Sequence, residues 1–111
     1  MKKVFVIILN WNRIKDTLLC FESVRSLNTQ GFDLKILVVD NASTDNSLEK
    51  LKEIKDIELI SNKTNLGFAG GNNVGIKYAL EKGADYVVVL NNDTILERNS
   101  ISLLVKTALN N

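Results

Sequence analysis

Three apolar runs in this chain each end in a cluster of Asn and Asp. Val4 to Leu9 runs into Asn10-Trp11-Asn12, Ile36 to Val39 into Asp40-Asn41 with Ser43-Thr44-Asp45 behind, and Tyr86 to Leu90 into Asn91-Asn92-Asp93-Thr94. Amides and carboxylates are hard oxygen donors. The chain has no His and one Cys, so the commonest general base and transition-metal ligand are missing. Acid–base work must fall to carboxylates, and a metal, if used, is Mg²⁺ or Mn²⁺, which take oxygen ligands. Such a donor set suits hydroxyl-rich ligands such as sugars and ribose, and a metal-bound diphosphate.

Each candidate has a plainer role as well. Asp93, just past an apolar run and beside Asn91 and Asn92, can ligate Mg²⁺ or Mn²⁺ together with substrate phosphates, but Asn and Asp also start turns. On this tripeptide alone the turn is the stronger reading. Asp40 can accept from a base edge or a ribose hydroxyl, or cap a helix beginning near Thr44. Asp45 is better placed for capping, which leaves Asp40 the ligand role. Trp11 either lines the crevice or covers the sheet edge. Cys20, near the apolar face of a helix, reads as a buried small hydrophobe.

The segment Asn62-Lys63-Thr64-Asn65-Leu66-Gly67-Phe68-Ala69-Gly70-Gly71 is polar and glycine-rich. No Gly-Lys-Ser/Thr follows it, and the dinucleotide fingerprint would have to follow the first strand, where Asn10-Trp11-Asn12-Arg13 stands. The glycines suggest a sharp bend and close backbone approach to a ligand; a flexible connection explains them equally well.

The elements that must hold these residues follow from periodicity. Val4 to Leu9 is continuously apolar, as in a strand buried on both faces of a parallel sheet. Ile14, Leu18, Phe21, Val24 and Leu27 recur at helical spacing and predict a helix from Ile14 to Leu27. Leu34 to Val39 predicts a second strand, and Leu48, Leu51 and Ile54 a short helix capped by Ser43 or Thr44. Ile57 to Ile60 predicts a third strand, Asn72 to Glu81 a helix stopped near Gly83, Tyr86 to Leu90 a fourth strand, and Arg98 to Leu109 a final helix. Alternating strands and helices mean βαβ units, a mostly parallel sheet and right-handed crossovers. In such a sheet the strand ends share one rim, and ligands bind in the crevice outside it.

Composition narrows the classes. At 111 residues the chain is expected to be one domain, 1–111. A net charge of +1 without Lys/Arg clusters argues against a nucleic-acid partner. The lone Cys excludes an internal disulfide. Met1-Lys2-Lys3 before a short apolar run falls short of a signal peptide, so the expected location is cytoplasmic.

Four stretches together resemble the donor-binding half of the family 2, GT-A-type glycosyltransferases, in particular their rhamnosyltransferase-like branch. They are Val6 to Asn12, Val38 to Asp45, Asn65 to Gly75 and Leu90 to Thr94, in the family's order and spacing over nearly the whole chain. The resemblance implies a three-layer, Rossmann-like α/β fold with a mostly parallel four-stranded sheet in the order 3-2-1-4. It also implies a nucleoside-diphosphate sugar at the rim. Asp40 then recognises the base, Asn10, Trp11 and Asn12 flank the nucleoside, and Asn65 and Gly67 border base or ribose. Asn91-Asn92-Asp93 stands at the family's DXD motif, with Asp93 the metal-binding carboxylate for Mg²⁺ or Mn²⁺ and Asn91 and Asn92 near ribose or diphosphate.

The family's acceptor half, with its general base, has no counterpart here. The expectation is therefore a glycosyltransferase donor-binding module that, in an intact enzyme, supports inverting transfer to a hydroxyl acceptor. The alternative is a catalytically inactive, truncated nucleotide-sugar-binding protein, completed if at all by a missing acceptor-binding segment or second chain. A receiver-like signalling domain would need acidic residues at Asn10-Trp11-Asn12 and a phosphoacceptor Asp at Ser61-Asn62. An unpaired fourth-strand edge predicts self-association there or through the terminal helix. Relatives acting on lipid-linked acceptors leave peripheral attachment at the inner face of the membrane open as an alternative, although no amphipathic anchor is evident in the sequence.

Overall fold

The computed structural model describes residues 1–110. Strands β1 (Lys2–Asn10), β2 (Phe32–Asp40), β3 (Glu58–Ser61) and β4 (Tyr86–Leu90) alternate with helices α1 (Ile14–Arg25), α2 (Ser47–Lys52), α3 (Gly67–Glu81) and α4 (Ser100–Asn110). The sheet order is β3-β2-β1-β4, as the family resemblance implies, and all three strand pairs are parallel. The chain runs outward from β1 to β2 and β3, then returns to the other side of β1. That reversal opens a crevice between the ends of β1 and β4.

Burial explains the continuous apolar run of β1: Val4 to Ile8 are at most 1% exposed, because helices cover both faces. Alternate residues serve opposite layers. Val4, Val6 and Ile8 pack with Cys20, Phe21 and Val24 of α1 and Ile101 and Val105 of α4. Phe5 and Ile7 pack with Leu37, Val39 and Ala79 under α3. Tyr78 of α3 meets Phe5 edge-on and donates a 2.8 Å hydrogen bond to Glu58 of β3. Among the described residues no helix is long and apolar enough to cross a membrane.

The largest difference from expectation is at α3, which starts at Gly67 rather than Asn72. Only Gly67 bends the chain, at φ +77°. Two later glycines lie within the helix and face the sheet rather than a ligand. A Cβ at Gly71 would stand 2.7 Å from Leu9 Cδ1 and 3.0 Å from Asn41 Nδ2, and one at Gly75 2.9 Å from Ile7 Cγ2 and 3.1 Å from Val39 Cγ2. These glycines set how closely α3 lies on β1 and β2.

A smaller difference lies before α2. Ser43 and Thr44 precede the helix, which begins at Ser47, and Asp45 supplies the local turn by accepting from the Ser47 N–H at 2.8 Å. Ser47, through its hydroxyl first and its N–H second, lowers the pKa of Asp45. β4 pairs with β1 alone, and Val89 is 38% exposed.

Candidate functional site

The ends of the four strands are tied by one chain of hydrogen bonds. Asn92, after β4, donates to Thr17 Oγ1 at 3.2 Å, and Thr17, on the buried face of α1, donates to Asn10 Oδ1 at 2.6 Å. Asn10 Nδ2 donates to Asp40 Oδ1 at 2.8 Å, and Ser43 closes the corner by donating from Oγ to Asp40 Oδ1 at 2.7 Å and from its N–H to Asp40 Oδ2 at 3.1 Å. Beyond β2, the backbone N–H of Asn62 donates to the Asp40 carbonyl at 2.9 Å. Asn10, Thr17 and Asp40 are 0% exposed. The sequence points to a direct ligand contact for Asp40; in the structure its carboxylate accepts three hydrogen bonds from two residues, Asn10 and Ser43, and has no exposed surface.

Two further amides hold the loops around this corner. Asn12 Oδ1 accepts from the N–H groups of Thr44 at 2.7 Å and Asp45 at 3.2 Å. Asn41 Nδ2 donates to Asn65 Oδ1 and to the Gly67 carbonyl, both at 3.0 Å, while its Oδ1 accepts from Leu66 N–H at 3.0 Å. Asn65 Oδ1 also accepts from Gly67 N–H at 2.8 Å. The two non-glycine residues with left-handed backbone, Asn12 (φ 53°) and Ala42 (φ 63°), both lie here. Left-handed backbone at an alanine costs about 1–2 kcal/mol and persists only where the surroundings over-determine it.

The other half of the rim is open. A crevice of about 270 Å³ is lined by Leu9, Trp11, Arg13, Phe68, Asn91, Asn92 and Asp93. Trp11 is 50% and Phe68 62% exposed. Two aromatic faces, an exposed carboxylate, amides and one guanidinium thus border the same space. Such a space accepts a planar ring against the aromatics and a polar, oxygen-rich group at the Asn-Asn-Asp turn. Asp93 also reaches Cys20: burial, reinforced by the Asp93 charge, pushes that thiol up to about 11.

A divalent ion finds only part of a coordination shell here. Among the described residues no three His, Cys, Asp or Glu side chains stand close enough to share a metal. Asp93 offers one carboxylate to such an ion. The remaining ligands would have to come from a bound diphosphate and water, as is common for Mg²⁺.

Of the residues singled out in the sequence as ligand-binding, the structure places Trp11, Asn91, Asn92 and Asp93 around one crevice, Asn65 and Gly67 at the adjoining loop, and Asn10, Asn12 and Asp40 in the hydrogen-bond network beside it. It missed Thr17, Asn41, Arg13 and Phe68. Thr17 carried a readable signal: it falls on the stripe shared by Phe21 and Val24, where a polar residue must find a buried partner.

An open parallel α/β sheet with a polar rim at its topological switch point defines a nucleotide-binding type of fold. The chain belongs to the family described as Glycosyl transferase family 2, whose sequence model matches residues 5–111. It is 33% identical over 86 residues to the dTDP-rhamnosyl transferase RfbF of Shigella flexneri, covering 73% of this chain and 29% of that protein. It is 40% identical over 74 residues to an uncharacterised glycosyltransferase of Haemophilus influenzae, covering 58% of this chain and 23% of that one.

Crystal structures share the fold. Staphylococcus aureus TarS 1-349 in complex with UDP superposes with a TM-score of 0.81 at 22% identity, over 99% of this chain and 32% of that one. The mannosyltransferase PcManGT of Pyrobaculum calidifontis, in complex with GDP-Man and Mn²⁺, gives 0.79 at 21% identity, over 93% of this chain and 31% of that one. The chain spans between 15% and 29% of the length of the curated relatives it matches.

Proposed function

We propose that this chain is a nucleoside-diphosphate-sugar binding module that holds the donor of a glycosyl transfer. The observation that carries the reading is the crevice in which Trp11 and Phe68 face Asn91, Asn92 and Asp93 at the switch point of a family 2 sheet. In this reading the base lies against Trp11, near the loop of Asn65 and Gly67. Asn91 and Asn92 meet ribose or diphosphate, and Asp93 holds Mg²⁺ or Mn²⁺ jointly with the diphosphate. The ion's contribution is to neutralise the diphosphate charge. Asn10, Asn12 and Asp40 act by keeping the rim in shape.

The chain covers 29% and 23% of the length of two relatives, and the reading is confined to the donor. Inverting transfer to a hydroxyl acceptor then requires an acceptor-binding segment, which the family resemblance places beyond the open edge of β4. The similarity to a dTDP-rhamnosyl transferase makes a dTDP-sugar the first donor to test.

Calorimetric titration of dTDP, UDP and GDP, with and without Mn²⁺, tests the reading. One diphosphate should bind more tightly with Mn²⁺, and Asp93→Ala should weaken that binding by roughly tenfold or more, the scale of losing a charged ligand contact. A folded protein that binds none of the three would sink the proposal.

A further inference from the structure

We propose that Arg13 receives the diphosphate of the donor, exchanging its present partner Asp16 for phosphate oxygens; this inference rests on the donor-binding reading above. Arg13 is the one basic residue among those lining the crevice with Asp93. It also lines the neighbouring shallow crevice beside Asn12, Lys15 and Asp16, so it stands on the ridge between the two.

Charge makes the case. The crevice lining carries one positive and one negative side chain, whereas a nucleoside diphosphate brings several negative charges next to Asp93. A metal ion offsets part of that repulsion, and among the described residues Asp93 has no second or third carboxylate beside it to hold one in advance. A permanently charged side chain beside Asp93 offsets it from the first contact. A guanidinium stays protonated and presents its N–H donors in a planar fork that matches phosphate oxygens in pairs.

Its present engagement is easily exchanged. Arg13 Nε lies 3.3 Å from Asp16 Oδ2, with side chains 67% and 40% exposed, and exposed pairs of this kind hold weakly. Arg13 is also the N-cap of the 12-residue α1, and no side chain caps that end. The first-turn N–H groups of α1 consequently add their partial positive charge beside the guanidinium. Asp16, in that same first turn, is the competing anion that a diphosphate displaces.

The test is calorimetry at low ionic strength with uridine, thymidine and guanosine and their mono- and diphosphates, with and without Mn²⁺. It compares wild type, Arg13→Gln, Arg13→Lys and Asp16→Asn, with circular dichroism to verify folding. Arg13→Gln should weaken the bound diphosphate roughly tenfold, with or without metal, and leave the matching nucleoside unchanged. Arg13→Lys should restore part of the loss. Asp16→Asn, which frees the guanidinium, should tighten the diphosphate about twofold.

If wild type binds a diphosphate and Arg13→Gln binds it equally well, the role given to Arg13 is wrong while donor binding stands. Equal weakening of nucleoside and diphosphate would also overturn it, because the residue would then act on the base or the rim. If wild type binds no nucleotide, the donor reading fails and Arg13 loses its assignment with it.

Discussion

At the end of β2, Asp40 is 0% exposed and gives its carboxylate to Asn10 and Ser43. At the end of β4, Asp93 is exposed and borders an open crevice with Trp11, Arg13 and Phe68. Both are aspartates beside asparagine at the end of an apolar run, yet one builds the rim and the other borders open space. The difference is position in the sheet. β2 lies between β1 and β3, so its end is crowded by neighbours that need acceptors. β4 pairs with β1 alone, and its end faces the gap where the strand order reverses.

Removing the carboxylate at the crowded end should have the larger effect on stability. Asp40→Ala strands the buried Asn10 amide and the donors of Ser43, and should cost about 3 kcal/mol at a penalty of ~1–3 kcal/mol per unsatisfied group. Urea denaturation reads this directly, and a loss below about 1 kcal/mol would mean that the network repairs itself with water. Gly75→Ala should follow at about 2 kcal/mol, typical of forcing a methyl group into a packed contact. Its Cβ would meet branched methyls of Ile7 and Val39 on the sheet. An unchanged denaturation midpoint would show that α3 can lift from the sheet.

Cys20 reports on the open end, where its Sγ lies 3.8 Å from the Asn91 carbonyl. Its thiol, raised to about 11 by burial and then by Asp93, holds its proton in the folded chain after the unfolded chain has lost it. Between the ordinary value of 9.0 and about 11 the native state therefore binds more protons, and stability falls as pH rises through that window. Asp93→Asn removes the charge and should move the onset of thiol labelling to lower pH; an unmoved onset would mean that burial alone sets it. The smallest effect on stability belongs to Asp93→Ala, within about 0.5 kcal/mol as for other exposed sites, even where nucleotide binding is lost. A loss of stability equal to that of Asp40→Ala would erase the contrast between the two strand ends.

Much of this was legible in the residues. The unbroken apolar run of Val4 to Ile8 requires cover on both faces, and that requirement leads to a parallel sheet between helices. Tyr86 to Leu90 was bounded correctly because polar residues flank it on both sides. The strand-end Asn and Asp pointed to the right rim, but residue type does not say whether an acceptor is consumed by its neighbours, which is why Asp40 and Asp93 read alike. The glycines misled for a related reason. Gly70 and Gly71 look like loop residues until α3 is laid on the sheet, where the absence of a side chain at Gly71 and Gly75 is a packing requirement. Arg13 and Phe68 were invisible as a pair because only the crossover through α3 brings them to one crevice.

The register of the central strand has a consequence for how the chain folds. β1 is made first, but its pairing is complete only when Val4 lies opposite Tyr86 and Ile8 opposite Leu90. Contacts so distant along the chain must close a large loop before they contribute, which slows folding. A chain emerging from the ribosome at about 5–20 residues per second therefore carries β1 with one edge uncovered for several seconds. The side of the sheet that becomes the crevice is the last to form, and in that interval β1 is the segment that a chaperone or a neighbouring chain would meet.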